Sequence, residues 1–303
     1  MIDHIRIATR ESQLALWQAE YVKARLEALY PDVTISLVGM TTRGDQILDK
    51  PLSKIGGKGL FIKELEQAIL ENRADLAVHS MKDVPMELPP GFCLAAICER
   101  ENPTDALVSN QFTRVDQIPA NARIGTSSLR RRYQIRDELP RAEYLDLRGN
   151  VNTRLAKLDA GNYDAIILAS AGLIRLQLEE RISQELDINL STPAAGQGAV
   201  GIECRNDQPD LIEMLSALNH EQTAQCVKAE RSFAGRLEAS CTLPLAAYCT
   251  YEDAGYQLRT YLADAAGSRH MRLDASGDEP VTLGINLAEE LLRQGGDELL
   301  GTH

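Results

Sequence analysis

The sequence predicts an α/β fold closed by a smaller α+β region. Three observations carry this: apolar runs of strand length alternate with amphipathic helical stretches, the chain is too long for one core, and its texture changes after about residue 220. At 303 residues it exceeds the ~100–200 of a usual domain, so two or three domains with a cleft between them are expected.

Taken in order, HIRIAT reads as an apolar strand, a helical pattern runs from Ser12 to Leu29 and is closed by Pro31, and VTISLVGM is the next strand. LFIKELEQAILENR is an amphipathic helix with Leu60, Ile62, Leu65 and Ile69 largely on one face, and it leads into the short buried strand DLAVHS. GTSSLRRRYQIRDEL combines a strand end, a Ser/Thr cap and a helix. NVNTRLAKLDAGNYDAIILAS repeats the scheme, with Asn152 or Thr153 near the helix start and Gly161 at its end. Parallel sheets covered by helices follow from this alternation. Ligands of such sheets bind beyond the carboxyl ends of the strands, where helix N-termini present unpaired N–H groups to anions. Beyond residue 220 come a helix (EQTAQCVKAERSFAGRLEA), three short strands (LPLAAYCTY, YQLRTYLAD, SRHMRLDA) and a last helix near 286–300. The final 28 residues hold six acids and a single arginine, Arg293, and read as a solvated surface.

Hydrophobic residues make up 44 % and charged residues 25 %, without a long polar tract, so the whole chain is expected to fold. No apolar run approaches the roughly 20 residues of a membrane span, and MIDHIRIATR lacks the apolar core of a secretory signal, so a cytoplasmic protein is expected. Six cysteines without CxxC spacing read as free thiols, and five scattered histidines give no zinc pattern, so no metal is expected. A net charge of -12 argues against a general nucleic-acid or anionic-membrane binder. Against that acidic background, residues 123–154 carry eight arginines, no lysine and only four acids.

Three successive arginines, Arg130, Arg131 and Arg132, follow Gly-Thr-Ser-Ser at a helix start. Positive charge there opposes the helix dipole, and a bound anion relieves the conflict. The alternative is a solvated surface helix paired to Asp137 and Glu138. Arginine offers a planar bidentate fork for carboxylates, which lysine does not. KIGGKGLFIKE places Lys54 and Lys58 around glycines but lacks the order of a nucleotide loop, and a glycine-rich lid is the favoured reading. VHSMKDVP sets Lys82 and Asp83 directly after an apolar strand, with Pro85 fixing the exit. Asp83 is the best acid–base candidate, the alternative being a plain surface pair with Lys82. Cys241, in the loop LEASCTLPL, is a candidate nucleophile or attachment point. Cys93, Cys98 and Cys249 sit in apolar runs and read as packing residues.

The segments ATRESQLALWQ, GGKGLFIKELEQAIL, AVHSMKDVP, GTSSLRRRYQ, LRGNVNTRL, AIILASAGLIRL and PAAGQGAVGIECR resemble, in order and spacing, the porphobilinogen deaminase (hydroxymethylbilane synthase) family. The resemblance implies a cytoplasmic, monomeric transferase of tetrapyrrole and heme biosynthesis. It would deaminate four porphobilinogen molecules and join them head to tail into hydroxymethylbilane, primed by a dipyrromethane cofactor held through a thioether to Cys241. It implies Asp83 as the catalytic carboxylate, and Arg10, Ser12, Lys82, Ser128, Arg130, Arg131, Arg148, Arg154 and Arg175 as binding residues for the acetate and propionate groups. Lys54, Lys58 and Phe61 would belong to the lid, and Arg132 and Arg136 stay on the helix surface. It also implies two α/β domains like those of periplasmic binding proteins, residues 1–98 with 199–217 and residues 99–198, and a smaller α+β domain from 220 to 303. Ala239 and Ser240 stand before Cys241 where many members have glycine. The competing reading is a non-catalytic anion-binding module of the same fold, which would need neither Lys82-Asp83 nor Cys241. A nucleic-acid binder is weaker, with only Tyr133 and Tyr144 as stacking aromatics in the arginine tract.

Overall fold

The alternating elements sort into three sheets in the computed structural model, which describes residues 2–42, 44, 62–238, 243–253 and 255–301. In chain order the strands are β1 (His4–Arg10), β2 (Thr34–Met40), β3 (Leu76–Ser80), β4 (Phe92–Ile97), β5 (Asp105–Val108), β6 (Arg123–Gly125), β7 (Glu143–Leu145), β8 (Ala165–Ala169), β9 (Gln184–Glu185), β10 (Val200–Arg205), β11 (Leu245–Glu252), β12 (Gly255–Ala263) and β13 (His270–Gly277). The helices are α1 (Gln13–Leu29), α2 (Lys63–Leu70), α3 (Leu129–Arg136), α4 (Val151–Asp159), α5 (Ser170–Arg175), α6 (Pro209–Ser216), α7 (Glu221–Arg236), α8 (Pro280–Leu291) and α9 (Asp297–Leu300).

The first domain has strand order β2-β1-β3-β10-β4 and the second β7-β6-β8-β5-β9, so the two share one plan. Each sheet has a parallel core, β2-β1-β3 or β7-β6-β8, beside which runs one antiparallel strand, β10 or β5. The expectation of parallel sheets is corrected here, and the reason is connectivity. Both crossings between the domains are short and start at the carboxyl edge of a sheet. The strand that follows therefore enters its new sheet at that same edge and runs backwards. The register shows it: Asp105, first in β5, pairs with Ala169, last in β8, and Val200, first in β10, pairs with Ser80, last in β3.

The repetition extends to side chains. Arg6 opens Arg-Ile-Ala-Thr in β1 and Arg123 opens Arg-Ile-Gly-Thr at β6. Asp75 accepts hydrogen bonds from the Arg6 backbone N–H and guanidinium at 2.7–3.0 Å, and Asp164 does the same for Arg123 at 2.7–3.2 Å. Each latch fixes the entry of a first strand against that of a third.

Cores lie on both faces of each large sheet. On α1, Ala15, Ala19, Val22 and Leu26 form a stripe at helical spacing, and Val22 and Leu26 pack with Ile5, Ile7, Leu76 and Ile202. Leu65, Ala68 and Ile69 of α2 cover the opposite face at Ala77 and Phe92. Ile124, Ile135 and Ile167 form one core of the second domain, and Leu155, Leu158, Ile166 and Leu173 the other. The third domain is the three-stranded sheet β11-β12-β13 with α7 and α8, closed by Phe233, Leu258, Leu262, Leu287 and Leu291.

One boundary shifts from the sequence reading and one is sharpened. Asn152 and Thr153 lie in the first turn of α4, as expected, and Asn150 caps it by accepting the Thr153 N–H at 2.9 Å. The last long helix begins at Pro280 rather than near 286, because proline is pre-set for the first helical turn. Arg136 is not a free surface residue: it donates to the Gly267 carbonyl of the third domain, next to a Tyr133 hydroxyl bond to Ala265 O at 2.8 Å. Arg132 lies over the Tyr144 ring, 5.6 Å from its centroid. Among the described residues, no helix is long and apolar enough to cross a membrane.

Candidate functional site

Several sequence-predicted residues converge where the carboxyl edges of the two large sheets meet. After β3 the chain makes a single 3-10 turn, Met81–Asp83, which leaves Lys82 and Asp83 half-buried at the edge. From the second domain, Ser128 caps α3 by accepting the Arg131 N–H at 3.4 Å, so the helix starts with Arg130 and Arg131 aimed at that edge. Arg154 comes from α4 and is tied to Gly149 O at 2.8 Å. Gly149 has φ +114, and an added Cβ would meet the Thr153 side chain at 2.7 Å, so the turn into α4 requires glycine.

Asp105 organises the cations. Wholly buried at the start of β5, it accepts Arg130 Nη1 at 2.8 Å and Nη2 at 3.1 Å, Arg131 Nε at 2.8 Å and Ser191 Oγ at 2.7 Å. Burial by itself would raise its carboxyl, but Arg130 and Arg131 outweigh burial and hold it far below the usual carboxylate range. Arg130 also donates to Thr192 O at 2.6 Å, and Arg131 to Ile167 O at 3.2 Å.

The remaining groups show a surplus of positive charge. Burial, then the nearby Arg131, pushes Lys82 down to about 8 against the opposing pull of Asp83 and Asp105. Arg154 is pushed down to about 10 by burial, then by Arg131 and Arg148, with Asp83 opposing. Burial also lowers Arg131 and Arg148. Burial and mutual repulsion both act against the cations gathered at this edge, and an anion among them would relieve both. Among the described residues Asp83 makes no ion pair within 4.0 Å, in contrast to the fully engaged Asp105.

Other predicted residues lie on neighbouring elements. Arg175 is buried at the end of α5, donating to Gly198 O at 2.7 Å and lying over the Trp17 ring at 5.4 Å, so it spans the two domains at the second crossing. Ser12 caps α1, accepting the Ala15 N–H at 3.3 Å, and Arg10 closes β1. Gln13 and Asn152 are hydrogen-bonded to one another across the cleft, which brings the starts of α1 and α4 together. Lys54, Lys58, Phe61 and Cys241 lie outside the described residues.

Sequence reasoning missed Asp105 and the residues that hold the two crossings in place. Gly196 (φ +74) and Gly198 (φ +86) carry the second crossing against the site, since an added Cβ would fall 2.7 Å from Met81 Cβ and 2.3 Å from Glu101 O respectively. Glu230 of α7 holds both crossings, pairing with Arg100 at 2.8 Å and accepting the Gly196 N–H at 2.7 Å. The only sequence signal for Asp105 is an acid opening the apolar run DALV. A separate groove of about 700 Å³, lined by Leu94, Ile97, Arg231 and Ile285 among others, contains none of the predicted site residues.

Residues 5–213 match the family model described as porphobilinogen deaminase, dipyromethane cofactor binding domain, and residues 224–293 match that of the porphobilinogen deaminase C-terminal domain. The porphobilinogen deaminase of Chromobacterium violaceum is 55% identical over 301 residues, 99% of this chain and 97% of that protein. That of Neisseria meningitidis serogroup B is 57% identical over 297 residues, 97% of this chain and 96% of the relative. Among solved structures, the methionine binding protein MetQ is similar at a TM-score of 0.47 and 10% identity, over 76% of this chain and 95% of that one. The chain belongs to the porphobilinogen deaminase family.

Proposed function

We propose that this member of the porphobilinogen deaminase family joins four porphobilinogen units head to tail into hydroxymethylbilane, with Asp83 acting at every step. The observation that carries the assignment of Asp83 is its contrast with Asp105: one buried carboxylate saturated by two arginines, and one carboxylate beside Lys82 that forms no ion pair among the described residues, in a recess rich in cations.

Each porphobilinogen brings an acetate and a propionate. Arg131, Arg148, Arg154 and Lys82 offer the matching charge, in a recess where burial already disfavours their protonated forms. Arg10, Ser12, Ser128, Arg130 and Arg175 are assigned to the same binding set by the family resemblance, Arg130 chiefly as the partner that holds Asp105 in place. The Asp83 carboxylate accepts a hydrogen bond from the aminomethyl ammonium, assists its departure as ammonia and faces the positive charge left on the pyrrole. The cation surplus also fits the dipyrromethane cofactor, a polycarboxylate in its own right, and the same residues would hold it. That cofactor would supply the terminal ring, whose free α-carbon would bond to the methylene left by ammonia and lose its hydrogen as a proton. Its attachment by a thioether to Cys241, and a lid containing Lys54, Lys58 and Phe61, rest on the resemblance. So do the domain limits of 1–98 with 199–217, 99–198 and 220–303, and a monomeric, cytoplasmic enzyme.

Asp83→Asn tests the reading. A folded variant should release ammonia from porphobilinogen roughly 10²–10⁴-fold more slowly than the parent. Near-normal release would remove Asp83 from the chemistry, whereas no release by the parent itself would favour the non-catalytic binding module. Intact-protein mass spectrometry should find two pyrrole units on the purified chain, absent from Cys241→Ser; an adduct on another cysteine would overturn only the attachment site.

A further inference from the structure

Arg231 has no place in the binding set, yet it reaches the segment next to Asp83. It sits on α7 of the third domain beside Glu230. Its Nη1 donates to Val84 O at 3.1 Å, and its Nη2 to Pro85 O at 2.6 Å and Met86 O at 3.0 Å. These are the three consecutive carbonyls that follow Asp83. Among the described residues no carboxylate lies within ion-pair distance of Arg231, and burial pushes its guanidinium down to about 10, with Glu203 opposing.

A half-buried guanidinium with no ion pair among the described residues is costly, and here its return is geometric. Three successive carbonyls can meet one guanidinium only where the chain bends around it, and the planar fork fixes that bend as a point charge cannot. Val84 is anchored by packing with Met81, Ile97 and Val227, but the backbone has few other hydrogen bonds: Pro85 lacks an N–H, and the Val84 N–H bonds to Met81 O at 3.2 Å. The other end of the same helix matters as much. The helix ends at Arg236, and Cys241 follows five residues later.

The geometry points to Arg231 as a positioning residue that holds the Asp83 turn in register with the helix leading to the cofactor cysteine. This rests on the proposed roles of Asp83 and Cys241. Arg231 touches neither substrate nor cofactor; it sets where the carboxylate stands relative to the tethered ring.

The experiment uses the full-length, cofactor-loaded protein with Arg231→Gln and Arg231→Lys. Loading is confirmed by intact mass, and kcat, KM for porphobilinogen and amide hydrogen exchange at Val84, Met86 and Glu87 are measured well below the melting temperature. Arg231→Gln is expected to keep the two-pyrrole adduct and a KM within about threefold, while kcat falls roughly 10- to 100-fold and the three amides exchange faster. The lysine variant, which keeps the charge without the fork, should fall between it and the parent in both readouts. A loaded glutamine variant with parental kcat, or a lower melting temperature as the sole change, overturns the proposal. Should the glutamine variant not fold, parental kcat and parental exchange in the lysine variant overturn it equally. Retained turnover in Asp83→Asn would instead sink the functional reading and leave the exchange result standing.

Discussion

The first and second domains follow one plan and use it for opposite ends. Both have the same strand order, the same arginine–aspartate latch and the same antiparallel fourth strand delivered by a crossing. After the third strand of the first domain comes Met81-Lys82-Asp83, whereas the equivalent place after β8 is Ser170-Ala171-Gly172, with no ionisable side chain. The second domain instead concentrates cations at the start of α3 and along α4. Topology therefore decides which loops face each other across the cleft, and the side chains on those loops decide which wall supplies the carboxylate and which receives the polyanion.

The fourth strands sharpen the contrast. β5 buries Asp105 against two guanidiniums, while β10 buries Glu203 against His79, with Nε2 and Oε2 2.8 Å apart. A guanidinium cannot shed its proton and an imidazole can, so the two carboxylates should differ in what their loss costs. Asp105→Asn should destabilise by about 3–5 kcal/mol in chemical denaturation, because it strands two buried charges. Glu203→Gln should cost about 1–3 kcal/mol, the cost of a weakened buried hydrogen bond to the His79 ring. Equal costs would break the distinction.

Glu66 on α2 gives a smaller and pH-dependent effect in the first domain alone. Burial, then the charge of Glu203, pushes its carboxyl up to about 7, with His79 and Lys63 opposing. Its pKa is raised on folding, so the contribution is complete below the ordinary carboxylate pKa and is lost as pH rises through about 7. Glu66→Gln should flatten that decline, leaving the variant more stable than the parent at pH 8 by up to roughly 3 kcal/mol relative to their difference at pH 4. Parallel denaturation curves at both pH values would remove the buried-proton account.

The smallest expected effect is at the latches. Arg6 and Arg123 are partly exposed, with side-chain exposures of 32% and 40%. Arg6→Ala and Arg123→Ala should each cost about 1 kcal/mol or less, and by similar amounts, because Asp75 and Asp164 keep their backbone donors. A markedly larger loss for one would show that the repetition is geometric but not energetic.

Much of the local reading holds. Ser12 and Ser128 cap the helices that the Ser/Thr positions indicated, and Asp83 stands at a strand end beside Lys82. The failures share a cause. β7 and β9 have three and two residues, too short for a periodic signal, and the direction of β5 and β10 depends on where a crossing begins. The repeated Arg-Ile-x-Thr and its distant aspartate escape a reading element by element, because each pair is joined only across a sheet. The Cys241 assignment comes from family resemblance, since a lone cysteine in a small-residue loop has no distinguishing chemistry.

By itself the sequence determined the helices and longer strands, the arginine-rich tract and the family, because periodicity, caps and residue chemistry act over a few neighbours. Only the tertiary structure decided which carboxylate is consumed in holding arginines and which has no ion pair among the described residues. Asp83 and Asp105 are the same residue type, each close to a strand end. Their difference comes from partners brought in by other elements: Arg130, Arg131 and Ser191 close on Asp105 from α3 and from the loop beyond β9, while Asp83 meets Lys82 and the field of Arg154. Charge pairing is set by distance in space, and for Asp105 that distance exists only once α3 and the loop beyond β9 have packed against β5.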